Sequence, residues 1–436
     1  MRKLFLKYIR RNKFVSGIFW RYFAISIQFF VVVAVVRCLK IEDAAVYFSL
    51  FGVVGVFFTL SGLGLPDGLV RHLPNWLDKD VMLGRSLALQ CMVATMALNS
   101  MLAALVSATA LLLLDLRADL YFLILAIWWF GYAAVFLNGQ ILVALGTPGL
   151  GAFFAYSSIN IGYLATLLPY LFLANAPTLI GALSIAAAGS SLAVIASFVV
   201  VLVRLGRPLT QDLTTSKVTP ASCENAILIV TTGLPIVLSR FIQASLPWVP
   251  VWLFIASDHA ENAAIYAAAS RLMVIVTALI GALRFTSRQS IVLNYHRQQY
   301  ESIVKLNYRA SRLAMVPPVV AIAFLFSVGD TVVPLFLGGG YALAVSVVAV
   351  LILGGVAEAF GGLSDEILKM IGKTHIVLWS LGTALLVQVA IASLLIDKAP
   401  SAVAWATVAA FFVQYSWQIL WLSLRTPIKI VPIKSR

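Results

Sequence analysis

Three arginines stand in stretches that are otherwise almost wholly apolar: Arg21 in "FWRYFAISIQFFVVV", Arg240 in "LSRFIQA" and Arg271 in "AAASRLMVIV". A guanidinium at the centre of a hydrocarbon layer costs about 2.5–3.5 kcal/mol on insertion scales. Something must offset that: a hydrated cavity, a carboxylate partner or an anionic ligand. Glu358, in "ILGGVAEAFGG", is the one acidic residue clearly inside an apolar run. Arg240 and Arg271 near the middle of such runs, against one glutamate, leave a net positive interior, which favours an anionic group. Arg21 is closer to an end, where its long stem can reach the surface. Arg37 and Arg71 lie at the ends of runs and read as structural.

Polar side chains accompany these charges. Gln28 follows Arg21 on the same helical face, and Gln243 lies beside Arg240. Tyr156, Asn160 and Tyr163 form a stripe at helical spacing, and Gln414 and Gln418 an i, i+4 pair. Either they line a hydrated cavity or they bond helix to helix. Glu358 admits two readings as well: a carboxylate that takes up a proton or Na⁺ as coupling ion, or a structural partner for an arginine. Asp67 and Asp365 are expected at the cytoplasmic ends, in solvent. No metal site and no bound cofactor is expected. His72, His259, His296 and His375 are scattered, and Cys38, Cys91 and Cys223 have no ligand spacing. An enzymatic role is therefore disfavoured.

The elements that must carry these residues are membrane spans. Hydrophobic residues make up 61% of the 436 and charged ones only 11%, far below the roughly 25% of an average soluble domain. Twelve apolar runs read as helical spans of a bilayer about 30 Å thick: 15–36, 44–65, 86–114, 120–145, 152–174, 179–203, 226–255, 263–283, 313–328, 342–363, 375–395 and 402–424. Of the 31 Lys and Arg, 24 fall in the two tails and in alternate connections. By the positive-inside rule both termini are cytoplasmic, so much of the +14 net charge is a topology signal and nucleic-acid binding is excluded. The longest polar stretch, 284–312, is expected to form a basic amphipathic helix on the inner surface, leading into the ninth span.

The chain also repeats itself. "EDAAVY" (42–47) and "ENAAIY" (261–266) are 219 residues apart. The same offset sets Arg21 on Arg240, Ser26 on Ser245, Tyr47 on Tyr266, Leu60 on Leu279 and Gly62 on Gly281. The acidic residue is expected in an outer loop, the Ala-Ala pair where helices approach closely, and the tyrosine at the membrane interface. An internal duplication gives two six-helix lobes, 1–210 and 211–436. An even number of spans per half puts their pseudo-two-fold axis along the membrane normal, an arrangement that binds between the halves and alternates access by rocking.

Three stretches resemble a known family. "SGLGLPDGLVRHLP" (61–74), "AAIYAAASRL" (263–272) and "YHRQQYESIVKLNYRASRLAM" (295–315) are similar to bacterial polysaccharide-export flippases of the multidrug, oligosaccharidyl-lipid and polysaccharide superfamily. The resemblance implies an all-α integral membrane protein with two six-helix lobes around a central cavity, in the bacterial inner membrane. It implies an oligosaccharide on a polyprenyl diphosphate as substrate, moved from inner to outer leaflet, and polysaccharide-assembly proteins as partners. A planar guanidinium suits diphosphate oxygens. Two alternatives stand beside it: a cation-coupled small-molecule or multidrug exporter of the same superfamily, and a membrane glycan polymerase or ligase. Spans one to six carry no central acid for a cationic drug, and the outer connections are short for a polymerase.

Overall fold

In a computed structural model the described residues are 2–66, 68, 69, 73, 81–113, 119–174, 176–206 and 223–430. They form helices without strands. In chain order these are α1 (Arg2–Cys38), α2 (Ile41–Phe57), α3 (Val81–Leu113), α4 (Asp119–Ala144), α5 (Pro148–Ala152), α6 (Ser158–Ala165), α7 (Leu167–Leu173), α8 (Leu179–Gly206) and α9 (Cys223–Ser245). There follow α10 (Val249–Ala256), α11 (Ala260–His296), α12 (Tyr300–Phe324), α13 (Asp330–Leu337), α14 (Ala344–Gly361), α15 (Ser364–Met370), α16 (Thr374–Leu395) and α17 (Pro400–Arg425).

Among the described residues nine helices are long and apolar enough to cross a membrane, or eleven if each of two bent pairs is one span. The bent pairs are Gly149–Ala155 with Ser158–Leu173, at 49°, and Gly233–Ser245 with Val249–Ala256, at 56°. The apolar stretch Tyr22–Cys38 of α1 is shorter. With it, the segments correspond one for one to the twelve expected runs.

By contact the chain divides into two compact units. Unit 1 comprises Met1–Val31 and Leu50–Phe241, unit 2 Val32–Ser49 and Ile242–Arg436. In unit 1, α4 runs against α3 and α8. Trp128, Trp129, Leu137 and Ile141 of α4 are fully buried there, and Asn138 donates from Nδ2 to Ser197 Oγ of α8 at 2.8 Å. In unit 2, α17 lies between α14 and α16, and α11 packs on α12 and α14.

The repeat is visible in the element starts. An offset of 219 carries Ile41, which opens α2, onto Ala260, which opens α11, and Val81 of α3 onto Tyr300 of α12. Ala44, Ala45, Ala263 and Ala264 are fully buried, as expected of close helix contacts. Two expectations about the repeated motif are corrected. Glu42 and Glu261 sit in the first helical turn and not in a loop, where the helix dipole favours a carboxylate. Tyr47 and Tyr266 are 1% and 0% exposed, inside unit 2 and away from any surface. The Tyr266 hydroxyl has a partner there, Thr407 Oγ1 at 2.7 Å.

The basic connector is also different. No separate surface helix forms. Instead α11 continues to His296, the chain turns with Gln298 at φ +57°, and α12 begins at Tyr300. Ile291 and Ile303, both fully buried, join Leu363, Ile367 and Leu368 of the α15 region in one apolar cluster. An apolar stripe reads the same whether it faces lipid head groups or another helix, so the sequence pattern did not separate the two.

After α2 the helix opens. Ser61 has ψ 124°, Gly62 φ 62° and Leu63 φ 46°, and Gly64 has φ +93°. Two glycines relieve the strain of this left-handed run. They also allow close approach: a Cβ on Gly233 of α9 would lie within 2.1 Å of the Gly64 carbonyl oxygen. Gly233→Ala should therefore destabilise by about 1–3 kcal/mol through overpacking, read as a lower melting temperature of the purified chain in detergent. An unchanged melting temperature would contradict the contact.

Candidate functional site

Among the described residues, the most strongly charged buried arrangement is in unit 2, where α11, α14 and α17 meet. Arg284 is 6% exposed. Its Nε donates to the Gly362 carbonyl at 3.1 Å, one terminal nitrogen to Glu358 Oε1 at 2.7 Å, and the other to the Tyr415 hydroxyl at 3.1 Å. Gly362, at φ 58°, ends α14, which frees the carbonyl that Arg284 takes. One turn further on, Arg288 donates to both oxygens of Glu366, at 2.7 and 3.4 Å. Lys369 reaches Asp365 at 2.9 Å, and Asn307 Oδ1 accepts the Leu363 N–H at 2.7 Å.

Of the two readings of Glu358, the geometry realises the arginine partner, and that partner is Arg284, a residue expected in the connector. Asp365 is likewise not solvated: its side chain is 3% exposed. Burial alone would raise its pKa, but Lys369 and then Arg284 and Arg288 outweigh it, so the carboxyl titrates below its ordinary value. This contribution to stability is present above the ordinary carboxylate pKa and is lost as pH falls through the depressed value. Asp67 lies outside the described residues. The signal for this cluster was present in the sequence: arginines one turn apart at 284 and 288, facing acids at 358 and 366 around a Gly-Gly helix end.

A polar column follows α17. Thr407 bonds Tyr266 and accepts from Gln388 Nε2, both at 2.7 Å. Gln418 accepts from Ser364 and donates to Ser380, both at 3.0 Å. Between them Gln414 is 0% exposed and neither its Oε1 nor its Nε2 has a hydrogen-bond partner. The Gln414–Gln418 pair thus splits: one amide ties helices together and the other does not.

The expected cargo residues are distributed over both units. Arg240 belongs to unit 1, half-buried, with its guanidinium carbon 5.1 Å from the Phe136 ring centre. Arg271 belongs to unit 2 and lies 4.0 Å from the Trp248 ring centre. Both are cation–π contacts. Tyr163 is 1% exposed; its hydroxyl accepts from Trp128 Nε1 at 2.5 Å and donates to Tyr132 at 3.1 Å, a tie between α6 and α4. Asn160, Gln28 and Gln243 are half-buried. The side chains of Arg21 and Tyr156 lie outside the described residues, as does Arg71. Arg37 is structural: it donates to the carbonyls of Leu335 and, at 2.9 Å, Phe336, capping the end of α13. No group of three or more metal-binding side chains occurs among the described residues.

No family profile matches the sequence, and no curated protein is significantly similar to it. Solved structures are. The inward-facing form of a multidrug resistance MATE family transporter of the MOP superfamily superposes with a TM-score of 0.62 at 17% identity, over 93% of this chain and 94% of the other. The outward-facing form gives 0.62 at 17%, over 95% and 96%. A MOP superfamily transporter from Pyrococcus furiosus, described as having a binding pocket of reverse polarity that suggests a different function, gives the same values. The chain has the fold of the MOP-superfamily transporters. The superfamily resemblance of the three sequence stretches agrees with that fold; membership of the polysaccharide-export branch does not follow from it.

Two outcomes test the buried chemistry. Glu358→Gln leaves Arg284 without its counter-charge and should cost about 3–5 kcal/mol, seen as a large drop in melting temperature; a drop of a degree or less would contradict the pairing. Gln414→Leu removes an unsatisfied amide and should raise the melting temperature, by the equivalent of about 1–3 kcal/mol. A fall there would mean that the amide has a partner.

Proposed function

We propose that this protein is a membrane transporter that exports small amphipathic molecules by alternating access, driven by a cation gradient. The observation that supports it is the fold: 95% of the chain superposes on a multidrug transporter captured facing outward, and nearly as much on the same kind of transporter facing inward. A proton or Na⁺ is the proposed coupling ion, and the inner membrane with both termini cytoplasmic is the proposed setting, from the distribution of Lys and Arg. Glu358 is held by Arg284, so it is not offered to a cationic cargo. Neutral and anionic amphiphiles therefore fit better than cations.

A second reading has a specific observation in its favour. Arg240 and Arg271 each place a guanidinium within helices of apolar sequence, beside an aromatic ring. A diphosphate on a lipid carrier is the anion that such groups would take most strongly, and sugars need a hydrated route because unsatisfied polar groups in hydrocarbon cost several kcal/mol each. That reading is the lipid-linked oligosaccharide flippase. In it Gln28, Asn160, Gln243 and Tyr156 meet sugar hydroxyls and Arg21 joins the arginines on the diphosphate, whereas Tyr163 is taken up by its bonds to Trp128 and Tyr132.

Proteoliposomes under an imposed proton or Na⁺ gradient separate the two. An anionic fluorescent dye, the cation ethidium and a labelled polyprenyl-diphosphate oligosaccharide are offered in turn. Gradient-driven movement of the anionic dye, with little of ethidium, is expected. Movement of the oligosaccharide lipid alone, lost in Arg240→Ala and Arg271→Ala, would establish the second reading instead. Equal leakage from protein-free vesicles for all three would contradict transport.

A further inference from the structure

The duplication allows one half to serve as a control for the other. The offset that aligns the starts of α2 with α11 and of α3 with α12 also carries Ser61 onto Ile280 and Thr95 onto Ala314. In unit 2, Ile280 and Ala314 are buried together with Ala359 in a small apolar cluster. The helical hairpin is therefore satisfied by apolar side chains at these positions.

Unit 1 departs from this. Ser61 is 1% exposed, Thr95 0%, and Asn99, one turn beyond Thr95 on the same face of α3, also 0%. Ser61 Oγ, Thr95 Oγ1 and Asn99 Nδ2 have no hydrogen-bond partner. Thr95 and Asn99 meet the backbone at Gly62, the chain neighbour of Ser61. Asn99 Oδ1 accepts the Gly62 N–H at 3.0 Å, and Thr95 Oγ1 lies 3.2 Å from where a Cβ on Gly62 would be. At that point the second span is open, with Gly62 and Leu63 left-handed, whereas α11 runs unbroken through Ile280 and Gly281. An orphaned buried polar group costs more than an apolar replacement, and here three persist where the aligned positions of the other half carry isoleucine, alanine and proline. Open backbone beside polar side chains at membrane depth is tolerated where it serves a bound group.

We propose that Ser61, Thr95 and Asn99 form a binding site for one hydrogen-bond-accepting oxygen, supplied either by water or by a hydroxyl or carbonyl of the cargo. The bond from Gly62 fixes the Asn99 amide, so its Nδ2 hydrogens face the ligand and disfavour a cation. The hydroxyls complete a neutral set of donors, with no formal charge to hold an anion. The cargo source rests on the transporter reading; the water source does not.

The test uses the full chain and the pair of substitutions Ser61→Ala and Thr95→Val, which keep shape and remove the hydroxyls. Millisecond water radiolysis reads local hydration through oxidation of Met92, a residue 4% exposed and one turn from Thr95 on the same face. Wild type should show Met92 oxidation that drops severalfold in the variant, while the variant melts at the same or a higher temperature. Proteoliposome flux of whichever probe wild type moves should fall about tenfold. Suppression of Met92 oxidation by that probe identifies the cargo oxygen as ligand; no suppression identifies water. Met92 that stays unoxidised in wild type, or is oxidised equally in the variant, overturns the site. So does a melting temperature raised by NaCl in wild type alone, which would mean a cation. If the pair does not fold, Thr95→Val alone carries the same comparison, and Thr95→Ser should restore flux and oxidation. If wild type moves no probe, the transporter reading fails, while the radiolysis result still decides the site.

Discussion

Burying a guanidinium is the constraint that organises the second unit. Arg284 has no route to water through a long stem, so every donor must be met inside the protein. Two helices supply the partners of the arginine carried by α11: α14 gives Glu358 and the freed Gly362 carbonyl, and α17 gives the Tyr415 hydroxyl. A helix end, a glycine with positive φ and a tyrosine ring are thereby fixed relative to one another. The neighbouring pairs, Arg288 with Glu366 and Lys369 with Asp365, extend the arrangement along the short helix α15. Glu358 serves here as the carboxylate partner of Arg284.

The two units solve similar problems with different chemistry. In unit 1 the amides and tyrosines join helices without net charge, through Asn138 to Ser197 and Trp128 to Tyr163. In unit 2 the corresponding ties are ionic at one end and amide-based further along α17. The open turn of the second span marks the sharpest divergence between the duplicated segments. There one copy keeps hydroxyls and an amide where the other has isoleucine and alanine. Divergence of this kind, at positions that a stable hairpin does not require to be polar, is where a duplicated fold can acquire a task for one half.

Much of the fold was legible because a bilayer imposes a simple rule. Backbone groups in hydrocarbon must be satisfied within the helix, so length and hydropathy alone located the apolar helical segments. The repeat was legible from Tyr47 and Tyr266, and the element starts obey it. What was not legible is direction. The tyrosines have the composition of interfacial residues, yet their neighbours are helices. Arg284 reads as the first residue of a basic connector: the spacing of 284 and 288 and of their acids is in the sequence, but Glu358 is 74 residues away and only the fold pairs the two. Asp365 reads as a solvated loop acid because its lysine is four residues on, and a surface i, i+4 pair looks the same as a buried one. The opening at Ser61–Gly64 carries a family resemblance in its sequence, but the orphaned side chains beside it on α3 are far away along the chain.

A double-mutant cycle on Arg284 and Glu358 tests the organising interaction most directly. Arg284→Met and Glu358→Leu, singly and together, are compared by thermal or chemical unfolding of the purified chain. Each single change should cost about 3–5 kcal/mol, and the double change far less than the sum, because it removes both charges at once. Losses that add to within about 0.5 kcal/mol would show that the two residues do not sense each other, and the account of the second unit would be wrong.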